Sequence, residues 1–139
     1  MKGKNFVDTN VLIYYVSNDI LKKDITKDLL INSDEIVISS QVITEFMAVT
    51  NKKNILQYPN SVNYAIEFMD IFEFAVISKE TVKLSFDVMN RYRYSTWDSL
   101  IIASALENNC SILYTEDMKD GQVIEGNLKI VNPFKKKGM

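Results

Sequence analysis

The stretch Asn5-Phe6-Val7-Asp8-Thr9-Asn10-Val11-Leu12 decides the fold class. Three residues of β character run into an acid, and an apolar helical pattern starts directly behind it. A strand that hands over to a helix within a few residues opens a βα unit. The same alternation recurs along the chain. Ile36-Val37-Ile38, Phe74-Ala75-Val76-Ile77 and Ser111-Ile112-Leu113-Tyr114 read as further strands, and Leu128-Lys129-Ile130-Val131 as a weaker fifth. The first four are continuous apolar runs, the pattern of parallel strands covered on both faces. Helical patterns at 11–16, 20–31, 41–51, 61–72, 79–92 and 96–107 fill the gaps, with Ser39 or Ser40 as an N-cap for the third. This order predicts an α/β fold, a three-layer α/β/α sandwich around a mostly parallel sheet of four or five strands. Residues 1–134 form one expected domain, and 135–139, with Lys135-Lys136-Lys137, read as a basic, flexible tail.

Composition narrows the chemistry. The 139 residues include no His and a single Cys, Cys110. Ser-His-Asp and Cys-His catalysis, imidazole acid–base chemistry, His-ligated metals and multi-Cys metal sites are all excluded. An enzyme built from this chain must work with carboxylates, Lys, Arg, Tyr, hydroxyls or a metal held by oxygen, and oxygen sites favour Mg²⁺, Mn²⁺ or Ca²⁺. A lone thiol fits a reducing, cytoplasmic setting. The lysines at positions 2 and 4 precede an apolar run that Asp8 and Asn10 interrupt, which argues against a signal peptide. No apolar stretch nears the roughly 18–20 residues a membrane span needs, so no membrane association is expected. A net charge of −2 does not advertise nucleic-acid binding.

The acids matter by position. Asp8 ends the first strand. Glu45 lies one turn into the helix after the second strand, bordering the arc of Val42, Phe46 and Val49. Asp98 stands near the start of the last, almost wholly apolar helix, and Asp117 follows the fourth strand, with Glu116 and Asp120 nearby. Strand ends and following helix starts share one edge of an open parallel sheet, where ligands bind. Four carboxylates on one rim raise each other's pKa unless a cation intervenes. A divalent metal resolves the conflict and supplies hydrolytic chemistry. Singly, each acid has an ordinary reading: Asp8 as an N-cap, Asp98 in a capping box with Ser95, Glu45 as a solvated boundary residue, Asp117 and Asp120 as turn residues. Thr9, Asn10 and Thr115 either fix the acids or serve turns. Arg91 and Arg93, interleaved with Tyr92 and Tyr94, suit phosphate contact and base stacking, or simply a solvated helix end. Trp97 reads as a packing residue.

Val7-Asp8-Thr9-Asn10-Val11-Leu12, Ile43-Thr44-Glu45, the Trp97–Ala105 stretch and Leu113-Tyr114-Thr115-Glu116-Asp117 together resemble the PIN-domain family, specifically its small VapC-like toxin ribonucleases. The resemblance implies a Mg²⁺- or Mn²⁺-dependent endoribonuclease, the toxin of a toxin–antitoxin pair. It assigns metal-site and catalytic roles to Asp8, Glu45, Asp98 and Asp117. Thr115 takes a supporting role, and Thr9 or Asn10 an orienting one. It implies RNA as substrate, a small antitoxin as partner, and a homodimer. Many relatives carry an aromatic residue shortly after their Thr-x-Asp, whereas here Met118-Lys119-Asp120-Gly121 follows. The fourth acid therefore stays open between Asp117 and Asp120, with Asp117 favoured because it is nearer the strand end. Two other readings remain. One is a catalytically inactive PIN-like module that binds RNA or protein. The other is a Mg²⁺-dependent phosphatase with Asp8 as nucleophile, disfavoured because Asn10 stands where such enzymes usually carry a second Asp.

Overall fold

The computed structural model describes residues 3–135. The chain opens with β1 (Lys4–Val7), α1 (Thr9–Val16), α2 (Ile20–Asn32), β2 (Glu35–Ser39), α3 (Ser40–Lys52) and α4 (Asn60–Ile71). It continues with β3 (Glu73–Ala75), α5 (Lys79–Tyr92), α6 (Thr96–Glu107), β4 (Cys110–Tyr114), β5 (Val123–Ile124) and β6 (Leu128–Val131). The sheet has six strands in the order β3-β2-β1-β4-β6-β5, and only the β5–β6 pairing is antiparallel. Helices flank it in two groups: α1 packs on α2 and α3, α3 on α4, and α5 on α6. The expected α/β sandwich with a mostly parallel sheet is the fold observed.

Two details differ from the sequence reading. The third strand stops at Ala75 rather than Ile77, because its pairing with β2 ends at Ser39↔Ala75, where β2 turns into α3. Val76 then has no neighbouring strand and is 70% exposed. The additional strand, β5, is a two-residue edge element joined to β6 through Glu125 and Gly126, both at positive φ. Successive positive φ values are what the tight hairpin turn matching strand twist requires. Two residues are too few to leave an apolar-run signal.

The core explains the strand runs. Phe6, Val7, Val37, Ile38, Leu113 and Ile130 are fully buried, packed with Val11, Leu12, Val42 and Phe46 and with Ile101 and Ile102 of α6. Each such side chain is worth about 1.5–3 kcal/mol relative to exposure. The helix starts are capped by side chains: Ser39 for α3, Ser78 for α5 and Ser95 for α6. Among the described residues, no helix is long and apolar enough to cross a membrane. The predicted tail lies outside the described residues from position 136 onward. Its first member, Lys135, makes an ion pair with Asp120.

The sheet order fixes where a ligand can enter. From β1 the chain runs outward through β2 and β3, then returns to the other side of β1 as β4. The direction of strand addition therefore reverses between β1 and β4. In open α/β sheets the binding crevice lies at that reversal, beyond the carboxyl ends of the strands.

Candidate active site

Asp8 and Thr115 stand directly after the carboxyl ends of β1 and β4, and they meet. Asp8 Oδ2 accepts a hydrogen bond from Thr115 Oγ1 at 2.8 Å, and Asp8 Oδ1 accepts from the Thr9 backbone N–H at 2.7 Å. The second contact makes Asp8 the N-cap of α1 as well, so the cap and the contact across to β4 are made by the same carboxylate. Thr9 then bridges to the next unit: its hydroxyl donates to Glu45 Oε1 on α3 at 2.9 Å. Asn10 fixes the β4 side. Its Nδ2 donates to Asp117 Oδ2 at 2.9 Å, and its Oδ1 accepts from the Glu116 N–H at 3.3 Å. The Asp117 N–H closes the loop onto Thr115 Oγ1 at 3.2 Å. Asp98 enters from α6, whose start is capped by Ser95 Oγ accepting from the Asp98 N–H at 3.1 Å.

Asp8, Glu45, Asp98 and Asp117 all line one cavity of about 540 Å³. Its remaining wall mixes apolar side chains, among them Ile13, Val49, Ile55 and Ile101, with polar ones including Gln41 and Lys53. Among the described residues, Lys53 is the one cation lining it. Asp8 is only 5% exposed. Burial first, and then the nearby charges of Glu45 and Asp98, push its carboxyl up to about 6 despite the bonds from Thr115 and Thr9. Burial, followed by the charge of Asp117, also raises Asp98. Asp8 and Asp98 therefore both feel neighbouring carboxylates of the same cavity.

Charge pairing separates these acids from their neighbours. Among the described residues none of the four forms an ion pair. Glu116, in contrast, pairs with Lys22, accepts from Tyr14 OH at 2.7 Å, and is held below its ordinary pKa despite partial burial. Asp120 lies outside the cavity lining, where it accepts from the Asn132 N–H at 2.8 Å and pairs with Lys135 at 3.4 Å. The open choice between Asp117 and Asp120 is a choice between an acid in the cavity and one neutralised elsewhere.

These donors fit a hard divalent cation in kind: all are oxygens, and among the described residues none of the four acids is ion-paired and Gln41 Oε1 on the same wall is buried without a hydrogen-bond partner. As the side chains stand, no three acids among the described residues are gathered closely enough to grip one ion. Thr115, Thr9 and Asn10 hold Asp8, Glu45 and Asp117 in place, and binding has to compete with those hydrogen bonds.

A family model for the PIN domain matches residues 6–119, a span that contains every element of this cavity. The chain belongs to the PIN-domain family. Solved structures of similar fold include a toxin–antitoxin complex from Klebsiella pneumoniae, with 23% identity over 95% of this chain and 99% of that one (TM-score 0.71). Another is the sarcin-ricin loop cleaving toxin VapC20 of Mycobacterium tuberculosis, with 16% identity over 81% and 89% (TM-score 0.69). A third is VapBC2 from Rickettsia felis bound to a promoter DNA fragment, with 19% identity over 93% and 99% (TM-score 0.65). At these identities the likeness is one of fold. No curated protein matched the chain.

Within this PIN domain, the two arginines singled out from sequence do not reach the acids. Arg91 makes an ion pair with Glu125, and neither it nor Arg93 lines the cavity. Arg93 instead terminates α5 in a left-handed conformation. Trp97, expected to pack, is 63% exposed and lines the cavity. The first turn of α6 stands at the rim, so the core cannot cover its outer side. Sequence reading also missed Gln41 and Lys53, since neither residue carries a signal of its own at those positions.

Proposed function

We propose that this PIN domain is a metal-dependent endoribonuclease that hydrolyses RNA phosphodiester bonds, and that it is the toxin of a toxin–antitoxin pair. The observation that carries the reading is the set of four carboxylates, none of them ion-paired among the described residues, facing one cavity at the strand-order reversal. Asp8, Asp98 and Asp117 would hold Mg²⁺ or Mn²⁺, and Glu45 would either join them or orient the attacking water. Such an ion, when bound, lowers the pKa of its water and polarises a phosphoryl oxygen. The chain's own residues do the positioning. Thr115 fixes Asp8 across the β1–β4 reversal, Thr9 ties Asp8 to Glu45, and Asn10 holds Asp117. The same reading carries a homodimer and a small antitoxin that covers the cavity, consistent with the toxin–antitoxin complexes among the structural neighbours.

The test is cleavage of a mixed structured RNA pool by purified protein with Mg²⁺, with Mn²⁺ and with EDTA, alongside Asp98→Asn. Metal-dependent cutting that disappears in the variant is the expected result. The competing reading is a PIN-like module that binds RNA or protein and cuts nothing. It predicts no cleavage under any condition and no effect of Mg²⁺ or Mn²⁺ on the melting temperature.

A further inference from the structure

The nuclease reading uses the acids and leaves Trp97 idle. An isolated apolar residue on a surface needs no explanation. Trp97 is not isolated in that sense: it lines the acid cavity and immediately precedes Asp98. An indole left 63% exposed forgoes the burial that usually places tryptophan inside. Its backbone is held, because Gln41 Nε2, from the start of α3, donates to the Trp97 carbonyl at 3.2 Å. The ring therefore stands on a fixed base beside the group that would address the scissile phosphate.

The electrostatics of the cavity give such a ring a task. Among the described residues Lys53 is the one cation lining the cavity, and Arg91 and Arg93 lie elsewhere. Affinity for a polyanion therefore has little cationic source in the lining itself. Base–aromatic stacking supplies affinity that does not depend on charge, and every base has a face to offer. A base inside a continuous duplex has both faces covered by its neighbours, whereas an unpaired one can be splayed onto a side chain.

We propose that Trp97 is a stacking platform for the unpaired base next to the scissile phosphate. This rests on the nuclease reading but is tested separately from it. Trp97 is the chain's one tryptophan, so its fluorescence reports the stacking directly. Wild-type protein in EDTA, and Asp8→Asn protein in Mg²⁺, are titrated with a 12-residue oligoadenylate. The same strand in a blunt duplex and an abasic oligonucleotide of equal length serve as controls. Saturable quenching by the single strand alone is expected. Fluorescein anisotropy should find Trp97→Phe within a few-fold of wild type and Trp97→Leu weaker by roughly tenfold or more. Absence of quenching, equal quenching by the abasic strand, or undiminished binding by Trp97→Leu overturns the proposal. So does a change in assembly mass in Trp97→Leu with RNA affinity intact, which would assign the ring to a protein contact. Quenching without cleavage by wild type defeats the nuclease reading and leaves the stacking standing. Cleavage by Trp97→Leu at wild-type kcat/KM does the reverse.

Discussion

Asp8 carries opposing demands. It caps α1 and receives the Thr115 hydroxyl, yet it is buried among like charges and forms no ion pair among the described residues. Its carboxyl, ordinarily at 3.8, is raised to about 6 in the native state. Between those values the folded protein keeps a proton that the unfolded chain has released. In EDTA, stability should therefore fall as pH rises from about 4 to about 6, by at most about 3 kcal/mol from this group. Asp8→Asn removes that dependence. Its melting temperature in EDTA at pH 7.5 should exceed the wild-type value, the difference should vanish near pH 4, and metal-dependent cleavage should be lost. Thermal melts of both proteins across the pH range check the first two outcomes, and a difference between them that does not change over that window would contradict them. Thr115→Val deletes the hydroxyl that fixes Asp8 while nearly preserving shape. Loss of a group that orients a metal ligand typically costs 10–100-fold in metal affinity or activity. A fall of that size in the Mg²⁺ response is expected, measured as cleavage rate against Mg²⁺ concentration, with the fold intact by circular dichroism.

Elements bring these residues together through ordinary helix-start chemistry. Ser39, Ser78 and Ser95 each occupy an N-cap, and each cap sets where the first turn begins. The Ser95 cap decides that Asp98 lies in the first turn of α6, at the rim. The start of α5 is the most heavily bonded. Ser78 Oγ accepts from the Thr81 N–H at 3.2 Å, Thr81 Oγ1 accepts from the Ser78 N–H at 3.1 Å, and the same Thr81 hydroxyl donates to Glu107 Oε1 on α6 at 2.5 Å. Thr81→Val keeps the volume and strips all the hydroxyl contacts. It should destabilise the protein by about 1–2 kcal/mol. A lower urea midpoint at unchanged slope is the expected signature. The sequence reading located most of these helices to within a residue or two, because apolar periodicity and Ser or Asp before a helix are local signals. It missed β5, whose two residues have no periodicity, and overextended β3, whose end depends on where β2 leaves the sheet.

For the whole molecule, the decisive property is a cavity whose four carboxylates form no ion pair among the described residues, in a chain of nearly balanced charge. Folding concentrates the acids of four separate segments at the β1–β4 reversal, while the cations Lys22, Arg91 and Lys135 are engaged with other acids. A ligand that relieves this repulsion binds the native state alone and stabilises it by mass action. Saturating Mg²⁺ should raise the melting temperature of wild type by several degrees and that of Asp8→Asn scarcely at all. Equal shifts in the two proteins would show that the ion acts elsewhere. Under the toxin reading, light scattering of the antitoxin-free chain should return twice the 16.0 kDa monomer mass.

The sequence by itself determined the alternation of strands and helices, the parallel character of the sheet and the edge on which the acids would fall. Each follows from local pattern: continuous apolar runs, helical spacing, and acids at strand ends. Only the tertiary structure decided how those positions were used. Asp8 and Thr115 are 107 residues apart in sequence and 2.8 Å apart in space. Asp117 was separated from Glu116 and Asp120 by which of them found a cation, and those cations come from α2 and the C-terminal segment. Arg91 was drawn away by Glu125, and Trp97 was left in water because its turn of α6 stands at the rim. Pairing, neutralisation and exposure depend on neighbours far along the chain, and no local pattern records them.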